Sequence, residues 1–135
     1  MEPSAELQKA IRSRLVASSA VVALVPALHI LDKNSRPEVF PSILIGEGQT
    51  VPGGDISRTR HDCFADLHIW IEEPGLMTSK AVAGAVREAL ADSRWSIPGL
   101  HVADLYVASS RFLRDPGGKV SHGIISLSAT VMETA

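Results

Sequence analysis

The chain has 135 residues, 45% hydrophobic and 21% charged, with a formal net charge of −2 and one cysteine. That length suits one domain over 1–135 with a self-sufficient core. The composition excludes a disordered chain, the charge gives no general reason to expect nucleic-acid binding, and one cysteine excludes an internal disulfide and fits a reducing compartment. The opening "MEPSAELQKAIRSRL" is amphipathic and charged, without the apolar core of a signal peptide. "AVVALVPALHIL", the longest apolar run, is short for a bilayer and contains a proline. An intracellular product with no membrane partner is expected.

In chain order, Leu7, Ile11 and Leu15 recur every four residues with polar residues opposite, which predicts a surface helix opening near Pro3 and Ser4. Ser18 and Ser19 predict a break and a fresh cap for a short helix over 20–25, stopped by Pro26. "LHILD" (28–32) and "PSILIGE" (41–47) read as strands with a loop over 33–40 between them. "GEGQTVPGGDIS" (46–57), with four glycines and a proline, reads as a flexible segment, and a long strand over 61–73 follows it.

"TSKAVAGAVREALADS" carries a stripe of Ala81, Val82, Ala85, Val86, Ala89 and Leu90. Thr78 is the expected N-cap, and Gly84 suggests close backbone packing on a sheet. Two alternating runs, 100–114 and 119–132, flank "DPGG", which predicts a hairpin closed by a type II turn. In the second run Ile125, Leu127, Ala129 and Val131 share one face, with Ser126, Ser128 and Thr130 on the other. The expected fold is therefore α+β: a mainly antiparallel sheet of about five strands with helices packed on one face.

"HDCFADLHIWIEE" (61–73) concentrates histidine, cysteine and carboxylates, and so raises the question of a metal or catalytic site. On a strand, His61, Cys63, Ala65, Leu67, Ile69 and Ile71 face one way; Asp62, Phe64, Asp66, His68, Trp70 and Glu72 face the other. The two histidines therefore diverge. Only His61 with Cys63, or Asp66 with His68, can converge, and either pair needs ligands from elsewhere, such as His101 or His122. A structural strand is the better reading, with Cys63 acting as a small buried hydrophobe.

Other chemistry is equally thin. "GEGQTV" has Val51 where a dinucleotide fingerprint needs its third glycine, and neither a P-loop nor a Gly-x-Ser-x-Gly elbow is present. No catalytic residue, metal or cofactor is expected. Arg58 with Arg60, and Arg111 with Arg114 and Lys119, form two basic groups, each a solvated face or a contact for an acidic partner. Trp70 and Trp95 are anchors of either the core or an interface.

The order of "ELQKAIRSRLVASSAVVALV", "FPSILIGEG", "ADLHIWIEEPG", "SKAVAGAVREAL" and "RFLRDPGGKVSHGIISLSATV" resembles a family of small tail proteins. These are the tail terminators and tail-completion, head–tail joining proteins of long-tailed phages and gene transfer agents. His68 and Trp70, the alanine-rich helix, and Arg111, Arg114, Asp115, Pro116, His122 and Gly123 carry the likeness; Ser121 stands where a bulkier residue is expected. The resemblance implies a structural virion protein at the tail–neck junction, made in the bacterial cytoplasm. It implies a hexameric ring that caps the tail tube, stops its growth and joins it to the head. Its implied partners are further copies of itself, the major tail tube protein and a neck, stopper or connector protein. DNA would pass through the lumen without specific binding. The family has no catalytic residues to carry over. The competing reading is a small enzyme or ligand-binding domain using the Asp66/His68 face.

Long loops between strands are commonly functional. Residues 47–57 are accordingly expected to project, flexible in the free subunit, and to order against a neighbouring subunit or the tail tube. Glu47, Gln49, Asp55 and Arg58, with Arg114, Asp115 and Lys119 near the hairpin tip, are the candidate assembly contacts.

Overall fold

The computed structural model describes residues 1–33 and 36–134. The first helix, α1, runs Pro3–Ala17, with the Glu2 carboxylate accepting from the Ser4 amide at its start. Ser18 ends it and at once caps α2, Ser19–Leu24, by accepting from the Val21 amide. A turn of 3-10 helix at Ala27–His29 then precedes a three-residue strand, β1, Ile30–Asp32. The predicted strand over 28–32 is thus half helical turn; the predicted loop over 33–40 includes residues 34 and 35, which lie outside the described residues.

The remaining elements are β2 (Ser42–Pro52), β3 (Arg60–Glu72), α3 (Met77–Leu90), β4 (Leu100–Arg114) and β5 (Val120–Glu133). They form a five-stranded sheet in the order β1-β2-β3-β5-β4. Only β1 runs parallel to its neighbour; every other pairing is antiparallel. The three α-helices pack on one face, so the expected α+β architecture holds, as a mixed but mostly antiparallel sheet.

The alternation read in β3 sets the layers. Cys63, Leu67, Ile69 and Ile71 are buried, and β5 presents Ile125, Leu127, Ala129 and Val131 to the same side. Ile43 and Ile45 of β2 pair with Ile69 and Leu67 and extend this apolar face. Against it lie Leu7, Ile11 and Leu15 of α1, Val21 of α2, and Val82, Val86 and Leu90 of α3.

Five local expectations need correction. The segment over 46–57 is mostly strand: β2 continues to Pro52 across a bulge between Ile45 and Gly48, leaving only 53–59 as a connection. Two glycines in an alternating run mark a bulge as readily as a loop. The hairpin tip is not a type II turn, because positive φ falls on Gly118 and not on Gly117. With Gly118 N–H donating to Asp115 O, the tip fits a type I turn followed by a left-handed glycine. The α3 stripe is rotated, with Ala83 buried and Ala81 exposed. A Cβ on Gly84 would meet nothing within 4 Å, so that glycine serves no close packing.

Thr78 is not the N-cap of α3 either. The Glu73 carboxylate accepts from the amides of Thr78 and Ser79, each at 3.1 Å, and from Ser121 Oγ at 2.8 Å. Burial raises the Glu73 pKa, but these hydrogen bonds outweigh it and hold the carboxyl below its ordinary range. Ser121, fully buried, is small and polar because it joins β5 to the helix cap.

Two sets of variants test this packing by denaturant unfolding. Leu90→Ala should cost about 2–5 kcal/mol and Glu88→Ala, on the outer face, almost nothing. Gly84→Ala should stabilise by about 1 kcal/mol, since helix propensity improves with no clash; a loss of stability would mean that the helix packs more tightly there than described.

Candidate functional site on the open face of the sheet

The face turned away from the helices carries the polar half of β3 and its partners. Register places Trp70 opposite His122, His68 opposite Ile124, Asp66 opposite Ser126 and Phe64 opposite Ser128. The rings of Trp70 and His122 stack with centroids 3.9 Å apart and planes within 9°. His68 lies on the other side of His122, with ring centroids 5.0 Å apart.

Hydrogen bonds run through this stack. His68 Nε2 lies 2.5 Å from Glu47 Oε1, and His68 Nδ1 lies 2.8 Å from His122 Nε2. The hydrogen bond from His68 holds the Glu47 carboxyl below its ordinary pKa, so Glu47 is an ionised acceptor. His68 therefore carries a proton on Nε2, and in its neutral form its Nδ1 accepts from His122 Nε2–H.

The β2 bulge makes this possible. It turns Glu47 onto the open face, and Gly46 leaves the space that the His68 ring fills: a Cβ there would lie 2.5 Å from the His68 Cδ2. Arg36 closes one side, its guanidinium 5.3 Å from the Trp70 ring and 3.6 Å from Asp115 at the hairpin tip. Together with Lys33 and Leu44 these groups line a cleft of about 380 Å³. Within it the Trp70 indole N–H is buried with no hydrogen-bond partner among the described residues.

The predicted contacts fall in three places. Glu47 and Gln49 lie along β2, Glu47 on His68 and Gln49 opposite Phe64. Asp55 and Arg58 sit in the 53–59 connection, at the Arg60 end of β3. Arg114, Asp115 and Lys119 surround the hairpin tip at the Glu72 end. Thirteen residues of strand separate those ends, roughly 40 Å. The structure joins Glu47 and Asp115 to one cluster, through His68, His122 and Arg36, and leaves the others apart. Sequence reading missed Arg36 and the Trp70–His122 stack. The His-x-Trp spacing signals that His68 and Trp70 share a face, but only the β3–β5 register brings His122 there.

His61 points to the opposite face and meets Glu133 at 3.1 Å. The pairs weighed for a metal do not assemble: Asp66 accepts from Ser126 Oγ while His68 turns to Glu47 and His122. Among the described residues no group of three or more His, Cys, Asp or Glu side chains is placed to hold a metal ion. No helix among them is long and apolar enough to cross a membrane. Of the two tryptophans, Trp70 lies on this open face, whereas Trp95 is half-buried beside the core with the Arg14 guanidinium 3.4 Å from its ring centroid.

Residues 9–132 match the family model described as tail completion protein gp17, and the chain belongs to that family, whose members are structural proteins of tail completion and not enzymes. It also resembles solved structures. A chain of the virion of a native gene transfer agent particle is 20% identical, with a TM-score of 0.82 over 93% of this chain and 94% of that one. The gp17 protein of bacteriophage SPP1 is 21% identical, with a TM-score of 0.62 over 95% and 90%. At such identities these two likenesses establish a shared fold. No curated protein matches the sequence.

The stack has a pH signature. Burial first, then the neighbouring His68, push the His122 pKa down from its ordinary 6.5 to about 4. Between those values the unfolded chain binds a proton that the folded one refuses, so this contribution to stability falls as pH drops from 6.5 to about 4. Above pH 6.5 it is flat. His122→Gln should reduce the slope of melting temperature against pH in that window; an unchanged slope would show that His122 titrates normally.

Proposed function

We propose that the protein is the subunit of a hexameric ring that caps the tail tube, ends its polymerisation and joins the tail to the head. The match to the tail completion family over 9–132 carries this reading. It is supported by the shared fold with a chain of a gene transfer agent virion. The ring would sit at the tail–neck junction of a phage or phage-like particle assembled in the bacterial cytoplasm. Its partners would be further copies of itself, the major tail tube protein and a neck, stopper or connector protein. Closure needs two different patches per subunit that meet head to tail. The separation of Asp55 and Arg58 from Arg114, Asp115 and Lys119 suits a subunit that makes different contacts at the two ends of its sheet. Glu47 and Gln49, on the β2 side, would face the neighbouring copy. A net charge of −2 suits a lumen that DNA crosses without specific binding.

Deleting the gene in its own phage or particle producer tests the reading. Heads and tails should accumulate unjoined, with tails of abnormal length, and the gene supplied in trans should restore particles. Normal joined particles in electron micrographs of the deletion would refute it.

A further inference from the structure

The connection between β2 and β3, expected to be flexible, is cross-braced. The Asp55 carboxylate accepts from Ser57 Oγ, from Thr59 N and Oγ1 at 3.4 and 3.3 Å, and from Arg60 N at 3.3 Å. Gly53 N–H donates to Arg60 O at 2.8 Å and closes the base. Gly54 and Arg58 supply the positive φ values, 80° and 60°, that the path needs. This frame holds Ile56 at the tip with 99% of its surface exposed. A rigid loop that presents a branched aliphatic side chain to water spends apolar surface that folding did not use.

A matching recess exists elsewhere on the chain. Beside β2, where the Gly46–Gly48 bulge lacks bulk, a partly open cleft of about 190 Å³ reaches between α1 and the sheet. Its walls include Leu7, Ile11, Ile45 and Leu67, with Gln8 at one side. An apolar cavity of roughly 150 Å³ takes a benzene, so this cleft has room for the four carbons of an isoleucine side chain. Pairing with β1 covers only Ile43–Ile45 of β2, so no strand among the described residues pairs with the outer edge of residues 48–52.

Charge agrees with shape. Arg58 and Arg60 flank the exposed isoleucine and make no ion pair among the described residues. Glu2, exposed at the start of α1, adjoins the cleft through Ser4, to which its carboxylate is hydrogen-bonded.

We infer that Ile56 of one copy inserts into the α1–β2 cleft of the next, with Arg58 and Arg60 meeting Glu2 at its rim. Knob and socket are different patches of the same chain, so the contact is heterologous and repeats around a ring. The inference rests on the ring reading and names the residues that close it.

Particles carrying the protein provide the test. In a Cys63→Ala background, Ile56→Cys with Gln8→Cys should cross-link on oxidation into a ladder of multimers that ends at the closed ring. Ile56→Cys alone should give at most dimers. Ile56→Asp should melt with the wild type, because the side chain is fully exposed, yet enter particles at least about tenfold less, whereas Ile56→Leu should enter normally. Normal incorporation of Ile56→Asp, or particles containing the paired-cysteine chain without a ladder, would overturn the knob and leave the ring reading standing. Absence of the wild-type chain from particles would overturn the ring reading, and the knob with it.

Discussion

The uninterrupted ladder between β3 and β5 is the constraint on which the rest of the molecule depends. It runs from Arg60 opposite Met132 to Glu72 opposite Val120 without a bulge. Because side chains alternate, this single register decides two outcomes at once. It joins Leu67 to Ile125 and Ala65 to Leu127 beneath the helices, and Trp70 to His122 on the open face. A slip of one residue would bury Asp66 and His68 and expose Leu67 and Ile69. The apolar core therefore protects the register of the polar face, although no core residue belongs to that face. Gly123 shows how closely the ladder is packed: a Cβ there would lie 3.3 Å from the Ile69 Cβ.

On either side of this ladder the sheet is irregular, and the two flanks differ. β4 is long and carries two register shifts, between Val102 and Asp104 and between Val107 and Ser109. Bulges and exposed charges such as Asp104 and Arg111 blunt an edge against pairing with other chains. The β2 flank has a bulge as well, but its outer edge along 48–52 pairs with no strand among the described residues and lies beside the cleft at α1. Its Gly46 serves both faces, giving room to His68 on one and opening the recess on the other.

What the sequence made legible follows from how local each feature is. Helix α1, the α2 cap at Ser18, the β4–β5 hairpin and the facing of β3 all rest on periodicity or a neighbouring residue, and all are present. Features that depend on distant chain were not legible. Glu73 caps α3 across a turn and is held by Ser121, forty-eight positions away, so a search for Ser or Thr at the helix start found Thr78 instead. The β2 extension looked like a loop because its glycines lower strand propensity, while the pairing of Gly48–Pro52 with His61–Ala65 overrides it. At the candidate site, the facing of His68 and Trp70 could be read, but Arg36 and His122 arrive only with the tertiary fold.

The same distinction governs how the 53–59 connection should be understood. Counting glycines suggested an unordered loop that would lose much backbone entropy on assembly. The single carboxylate of Asp55, ionised and held below its ordinary pKa first by the Ser57 hydroxyl, reverses that expectation by gathering the donors of Ser57, Thr59 and Arg60. The ordering cost is met during folding, where the adjoining strands already restrict the chain. Association then loses less to loop ordering, and a small apolar contact contributes more of its burial to binding. In general, a pre-organised tip favours association more than a flexible arm of the same composition.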